Sequence, residues 1–65
     1  MIIYVKGRET QVPDELTVEE LLAMLEYTRF VAVWINDQQV LHGHYSTREL
    51  KERDHVLIIK PLSGG

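Results

Sequence analysis

The stretch TVEELLAML, residues 17–25, decides the fold because it carries the clearest periodic signal in the chain. Thr17 is followed three residues later by Glu20, which fits a capping box, where each side chain hydrogen-bonds the other residue's backbone N–H. Apolar residues recur at the i, i+3, i+4 and i+7 spacing of one helix face. They are Val18, Leu21, Leu22 and Leu25. We therefore predict a helix from Thr17 to about Glu26 or Tyr27, whose apolar face packs on strands.

A β-hairpin is predicted ahead of this helix. Residues 1–6 are rich in β-branched and aromatic side chains, which favour a strand. Because glycine adopts positive φ without steric cost, Gly7 indicates a turn over residues 6–9. Residues 10–12 are predicted to form the returning strand, and the proline-containing segment 13–15 ends it.

Three more strands are predicted after the helix, at residues 30–35, 39–41 and 55–60. Asn36 and Asp37 indicate a turn between the first two, since both residue types tolerate the left-handed region. Residues 42–44 are predicted as a loop, and residues 46–50 as a short capped helical turn. The element order β-β-α-β-β-β predicts an α+β roll, because one helix covers only one face of such a sheet.

Length and composition exclude several classes of protein. A chain of 65 residues forms a single domain. The absence of cysteine excludes disulfides, a cysteine-ligated zinc and a thiol nucleophile. The formal charge of −3 argues against nucleic-acid binding and is compatible with docking onto a basic protein surface. A domain this small leaves little room for a walled substrate pocket, so we do not expect an enzyme.

The lengths of the apolar segments and the pattern at the start of the chain predict where in the cell the protein is found. The longest apolar runs fall well below the ~20 residues that span a bilayer. The start of the chain also lacks the pattern of a signal peptide. We therefore expect a cytoplasmic protein with no membrane contact, monomeric when free.

The last five residues form a segment distinct from the body, so we predict a domain over residues 1–60 and a reactive tail over 61–65. A frayed terminus is one interpretation of Gly64 and Gly65. The other is that the tail is a substrate. A terminal carboxylate is anionic at neutral pH and can attack the α-phosphate of ATP, giving an acyl-adenylate. Two residues without Cβ atoms would pass through a narrow channel of another protein.

These features together resemble the ubiquitin-like β-grasp sulfur carriers, most closely the thiamine-biosynthesis type, ThiS. The resemblance covers essentially the whole chain. It rests on the hairpin around Gly7, the helix start at residues 17–22, the strand and turn at 33–36, the Asp54 turn and the final Gly64-Gly65. It implies a ubiquitin-like β-grasp roll, with one main helix across a mixed sheet and a flexible C-terminal tail.

The resemblance also implies a mechanism and partners. A ThiF-like adenylating enzyme, using its own ATP and Mg, would activate the Gly65 carboxylate. Sulfur from a persulfide donor would then replace AMP, and the resulting thiocarboxylate would pass its sulfur to a ThiG-like thiazole synthase. Gly65 is the reacting residue and Gly64 provides clearance. The chain itself would hold no cofactor and catalyse nothing.

Three alternatives stay open at this point. A carrier for molybdopterin or tungstopterin synthesis, or for tRNA thiolation, would look very similar. A ubiquitin-like modifier would instead join Gly65 to lysines of other proteins. A TGS-type RNA-associated module would not need the tail at all. The sequence also departs from the family pattern at Arg53, where glycine is usual, and at Lys6-Gly7, where Asn-Gly is common.

Two further groups of residues have competing interpretations. Trp34 alternates with Val33 and Ile35, so we predict that it points away from the helix, either as a partly covered surface aromatic or as a docking anchor. Leu62, in the tail, is a second candidate for partner docking. His42 and His44 share a face only in an extended chain, and two histidines do not complete a zinc site. We therefore expect no metal site.

Overall fold

A computed structural model describes residues 1–28 and 30–60, which form a five-stranded sheet crossed by one α-helix. In chain order the elements are β1 (Ile2–Val5), β2 (Arg8–Gln11), α1 (Val18–Met24), β3 (Ala32–Ile35), β4 (Gln38–Val40), a 3₁₀ turn (His42–His44) and β5 (His55–Ile59). Within the described residues, no helix has the length and apolar character needed to traverse a lipid bilayer.

The sheet is mixed, with strand order β2-β1-β5-β3-β4. β1 runs parallel to β5, whereas β2 with β1, β3 with β5 and β4 with β3 are antiparallel. The last strand therefore lies in the centre, between the first strand and the third. This arrangement confirms the predicted α+β roll with its single main helix across a mixed sheet.

Both hairpins close with two-residue turns whose residues have positive φ. Lys6 and Gly7 have φ of 52° and 79°, and Asn36 and Asp37 have 51° and 70°. Positive φ at both central residues defines a type I′ turn, whose twist matches that of the flanking strands. This tight closure pairs Val5 directly with Arg8. The second strand consequently begins two residues earlier than the sequence predicted.

The helix begins as predicted and ends sooner. The Glu20 backbone N–H donates to Thr17 Oγ1 at 3.1 Å, and the Thr17 N–H donates to Glu20 Oε1 at 2.9 Å, which completes the capping box. These bonds from Thr17 hold the pKa of the Glu20 carboxyl below its ordinary value. At the other end Glu26 adopts a φ of 62°, so regular helix stops at Met24. A left-handed residue directly after a helix is a common terminator.

The core lies between the helix and the inner face of the sheet. It takes alternate residues from each central strand, and it includes Ile3, Leu21, Val33, Ile35, Val56 and Ile58, each at most 2% exposed. This alternation is the period-2 pattern of a sheet with one covered face.

The predicted helical turn at residues 46–50 is wrong. The helical backbone bonds begin earlier, at the 3₁₀ turn, where the Tyr45 N–H donates to the His42 carbonyl. They end where the Arg48 N–H donates to the His44 carbonyl at 2.8 Å, so residues 49 and 50 lie outside them. Tyr45 fixes that turn because its ring is buried and its hydroxyl donates to the Val31 carbonyl at 2.9 Å. The segment after it pairs with the start of the helix region through a bridge between Thr17 and Glu49. That pairing leaves residues 48–50 extended.

Candidate functional site

The sheet face opposite the helix carries an aromatic and aliphatic surface, which we call the outer face: Tyr4, Trp34, His55, Leu57 and Ile59. The strand register sets it, since Trp34 pairs with Leu57 and Tyr4 with His55. The neighbours Val33 and Ile35 are buried on the helix side, so the predicted orientation of Trp34 is confirmed. Leu57 and Ile59 are each 46% exposed. A shallow depression of about 340 Å³ lies at this face, bordered by Trp34.

Tyr4 is the centre of a stacked group that sequence reasoning missed. Its ring stacks on that of His55, with centroids 4.8 Å apart and planes 20° from parallel. Arg53 Nη1 donates to the Tyr4 hydroxyl at 2.9 Å. Arg53 and His55 are about fifty residues from Tyr4 and meet it only because β1 and β5 pair in parallel. No local pattern signals such a contact.

A polar network holds the chain where β5 begins. The carboxylate of Asp54, only 7% exposed, accepts from Asn36 Nδ2 at 2.9 Å and from the Lys51 N–H at 2.8 Å. The Asn36 side-chain oxygen in turn accepts from the His55 N–H at 2.9 Å. Each buried polar group therefore has a partner, which removes the cost of its desolvation. This network ties the β3–β4 turn to the start of β5.

Arg53 occupies the position where glycine was expected, and the turn keeps the backbone that favours glycine. Its φ is 67°, in the left-handed region. Its N–H donates to the Ile2 carbonyl at 2.6 Å, tying the turn to the first strand. Arg53 therefore holds a backbone conformation that glycine adopts more easily, at a cost in backbone strain.

The predicted reactive residues lie outside the described part of the chain. β5 carries the chain to Lys60, and the tail at residues 61–65 follows in sequence. The roles of Gly65, Gly64 and Leu62, and the boundary after residue 60, therefore remain predictions. The structure describes the body that precedes the tail in the sequence.

At the base of the tail, two lysines flank one tyrosine. Lys6 Nζ donates to the Tyr27 hydroxyl at 3.0 Å. Lys6 Nζ and Lys60 Nζ each lie 5.4 Å from the Tyr27 ring centroid. The hydrogen bond from Lys6 holds the pKa of the Tyr27 phenol below its ordinary value. This cluster was also missed, because its three members come from three separate elements.

The structure places His42 and His44 at the two ends of the 3₁₀ turn. His42 stacks obliquely on Tyr45, with ring centroids 4.9 Å apart. Among residues 1–28 and 30–60 there is no group of three or more His, Asp or Glu side chains placed to hold a metal ion. The 3₁₀ turn, instead of the expected irregular loop, determines where both rings lie.

Comparisons with known proteins agree with this architecture. The model of the ThiS family matches residues 2–65. A crystal structure of a thiamine biosynthesis protein (ThiS) from Geobacter metallireducens is 26% identical, with a TM-score of 0.86 and 100% coverage of both chains. An NMR solution structure of a thiamine biosynthesis protein from Geobacter metallireducens is 26% identical, with a TM-score of 0.82, and the match covers 100% of this chain and 88% of that one. No curated protein sequence matches the chain.

Proposed function

Since the chain belongs to the ThiS family, we propose that it is the sulfur carrier that supplies thiazole formation in thiamine biosynthesis. The family match supports the carrier role, and the observation that carries the proposal is that this match extends over residues 2–65, through both tail glycines. The thiamine titles of the two similar structures support the choice of pathway. The reacting group is the carboxylate of Gly65.

The chemistry proceeds in three transfers. A carboxylate oxygen of Gly65 attacks the α-phosphorus of ATP on the adenylating partner, and pyrophosphate leaves. The terminal sulfur of a persulfide attacks the acyl carbon and expels AMP. The new bond is the acyl C–S bond, and the product is an acyl disulfide that keeps the S–S bond of the persulfide. A second thiol of the sulfur donor then attacks the donor-side sulfur and breaks that S–S bond, which leaves a thiocarboxylate on Gly65 and a disulfide on the donor. Thiazole synthase receives that sulfur. ATP and Mg belong to the partner.

The body contributes recognition. Trp34 is proposed as a docking anchor because large aromatic side chains at partly exposed positions dominate many interfaces. Its cross-strand neighbour Leu57 and the nearby Ile59 are apolar and each 46% exposed, so a partner covering them would gain hydrophobic burial. Leu62 is proposed to extend that contact along the tail. Free in the cytoplasm, the carrier is proposed to be monomeric.

Mass spectrometry tests the proposal directly. The protein is incubated with its adenylating enzyme, MgATP and a persulfide donor, and its intact mass is recorded. We expect a gain equal to the exchange of one oxygen for sulfur. Isopeptide adducts on lysines of other proteins would show a modifier instead, and an unchanged mass would refute the carrier assignment. The acceptor enzyme that consumes the thiocarboxylate distinguishes thiamine from molybdopterin, tungstopterin or tRNA pathways.

A variant with one serine appended after Gly65 tests the role of the carboxylate. We expect adenylation to be abolished while the melting temperature stays unchanged, since the addition lies beyond the sheet. The matched control introduces its serine as Gly43→Ser, at an exposed position where an added Cβ meets nothing within 4 Å. Intact mass of protein isolated from cells checks that Gly65 is the final residue of the working protein. Full adenylation of the extended variant would contradict the mechanism.

A further inference from the structure

The cluster of Lys6, Tyr27 and Lys60 places two positive charges against one aromatic ring. Both ammonium groups lie 5.4 Å from the ring centroid. Lys6 reaches it from the β1–β2 turn, Tyr27 from the segment after α1, and Lys60 from the end of β5. Both ammonium groups therefore stand beside the same tyrosine at the end of the body from which the tail leaves. An acidic side chain reaching this end could pair with either of them.

An open groove continues from this cluster along the edge strand β2. Its volume is about 460 Å³. Val5 and Leu25 contribute its apolar surface, and Arg8 adds a third cation to its border. The groove therefore offers an apolar contact next to a basic rim, which suits a protein segment carrying aliphatic and acidic side chains together.

These cations have no acidic partner within the described residues. There the single ion pair joins the Met1 amino group to Asp14 at 3.3 Å, at the start of β1. Glu26 borders a groove with Lys60 but makes no ion pair with it in that part of the chain.

Some acidic residues lie away from the cluster: Glu20 is in the first turn of α1, and Glu52 accepts from the Ile2 N–H where β1 begins. Glu19 borders a groove with Tyr27, and Asp37 borders one with Lys6, but neither forms an ion pair within the described residues. The chain thus carries a net charge of −3 yet presents a basic end where the tail begins.

We propose that this basic end docks against carboxylates surrounding the opening of the adenylating partner that receives the tail. The inference rests on the proposed function and adds the recognition chemistry. Lys60 immediately precedes the tail, so any surface that admits residues 61–65 comes close to the cluster. The Tyr27 hydroxyl accepts from Lys6, which leaves its own O–H free to donate to a carboxylate. Three cations on an acidic chain are too few for strong nucleic-acid binding.

The proposal can be tested through the rate at which the carrier associates with the adenylating partner, because opposite charges on the two surfaces speed that association. Rim charges act mainly on association rates and lose their effect as salt rises. The Lys6→Gln/Lys60→Gln double variant should lower kcat/KM for adenylation about 2- to 30-fold at low ionic strength, because it removes two partly exposed ion pairs. Wild-type kcat/KM should fall with added salt, and the double variant should respond much less.

A control with the same charge change separates a local effect from a global one. Arg48→Gln/Lys51→Gln removes two exposed cations away from the cluster and alters net charge equally. We expect its kcat/KM and its salt response to match wild type. An equal loss in this control, or an unchanged salt response in the cluster variant, would overturn the inference. Circular dichroism melts confirm that both variants fold.

Two more measurements distinguish the outcomes. If wild type itself is never adenylated, the proposed function fails, whereas normal adenylation of the cluster variant at every salt concentration defeats only the docking inference. A fluorescent single-stranded RNA is titrated in parallel. RNA binding that disappears in the Lys6→Gln/Lys60→Gln variant would assign the basic end to nucleic acid and overturn the protein partner.

Discussion

Replacing Arg53 tests whether the turn before β5 stores backbone strain. The residue has a φ of 67°, and its side chain donates one hydrogen bond to the Tyr4 hydroxyl. Arg53→Ala removes that bond and keeps the strain, whereas Arg53→Gly removes both. Comparing glycine with alanine therefore isolates the backbone contribution.

The expected magnitudes follow from these two features. A left-handed L-residue costs roughly 1–2 kcal/mol. Glycine returns about 0.4–1 kcal/mol of this through the greater entropy of its unfolded chain. The glycine variant should therefore be about 0.5–1 kcal/mol more stable than the alanine variant. The lost hydrogen bond is exposed and contributes about 0.5–1 kcal/mol. Arg53→Ala should accordingly fall below wild type by that amount, and Arg53→Gly should lie close to wild type.

Urea unfolding followed by tryptophan fluorescence measures both variants, with thermal melts as a second readout. For a domain of this size the glycine variant should melt about 2–8 °C above the alanine variant. Tyr4→Phe is the matched control, because it removes the same hydrogen bond and leaves the backbone at Arg53 unchanged. An alanine variant as stable as the glycine variant would refute the strain argument.

Three shorter predictions concern the cap, the buried tyrosine and the outer face. Thr17→Ala should lower the free energy of unfolding by about 1 kcal/mol. The cap holds the pKa of Glu20 below its ordinary value, so the stability it adds is lost as the pH falls through the Glu20 pKa of the folded protein. The difference in unfolding free energy between wild type and Thr17→Ala should therefore narrow in urea melts at acid pH. Tyr45→Phe should cost about 1–2 kcal/mol by leaving the Val31 carbonyl unpaired. Burial raises the pKa of Tyr45, so wild type should lose stability relative to Tyr45→Phe as the pH rises above about 10. A difference in unfolding free energy that does not change with pH would contradict the effect of burial on this pKa. Trp34→Ala should lower kcat/KM for adenylation about 5- to 30-fold. The control is Gln39→Ala, at the exposed cross-strand neighbour of Trp34, which should leave kcat/KM unchanged.

Local signals in the sequence predicted the elements that local chemistry determines. The capping box fixed the start of α1, and Asn36-Asp37 fixed the second hairpin, because both depend on residues within four positions. The helix end was harder to predict, since it depends on the left-handed φ of Glu26, a residue type with no such preference.

Contacts between distant segments could not be predicted in the same way. The helical turn placed at residues 46–50 satisfied a local motif, yet the bridge of Glu49 to Thr17 and the burial of Tyr45 prevailed. The Tyr4–His55 stack depends on parallel register, which no single segment encodes. For the site, the orientation of Trp34 followed from strand alternation, whereas the basic cluster at Tyr27 required the complete fold.

The central position of β5 determines how the folded body responds when a partner pulls on the chain beyond Lys60. Tension applied there runs along the strand, and the bonds to β1 on one side and to β3 on the other share it in shear. A strand at the sheet margin would have only one row of backbone hydrogen bonds to resist the same pull. Detaching β5 from the sheet requires breaking its bonds to both β1 and β3.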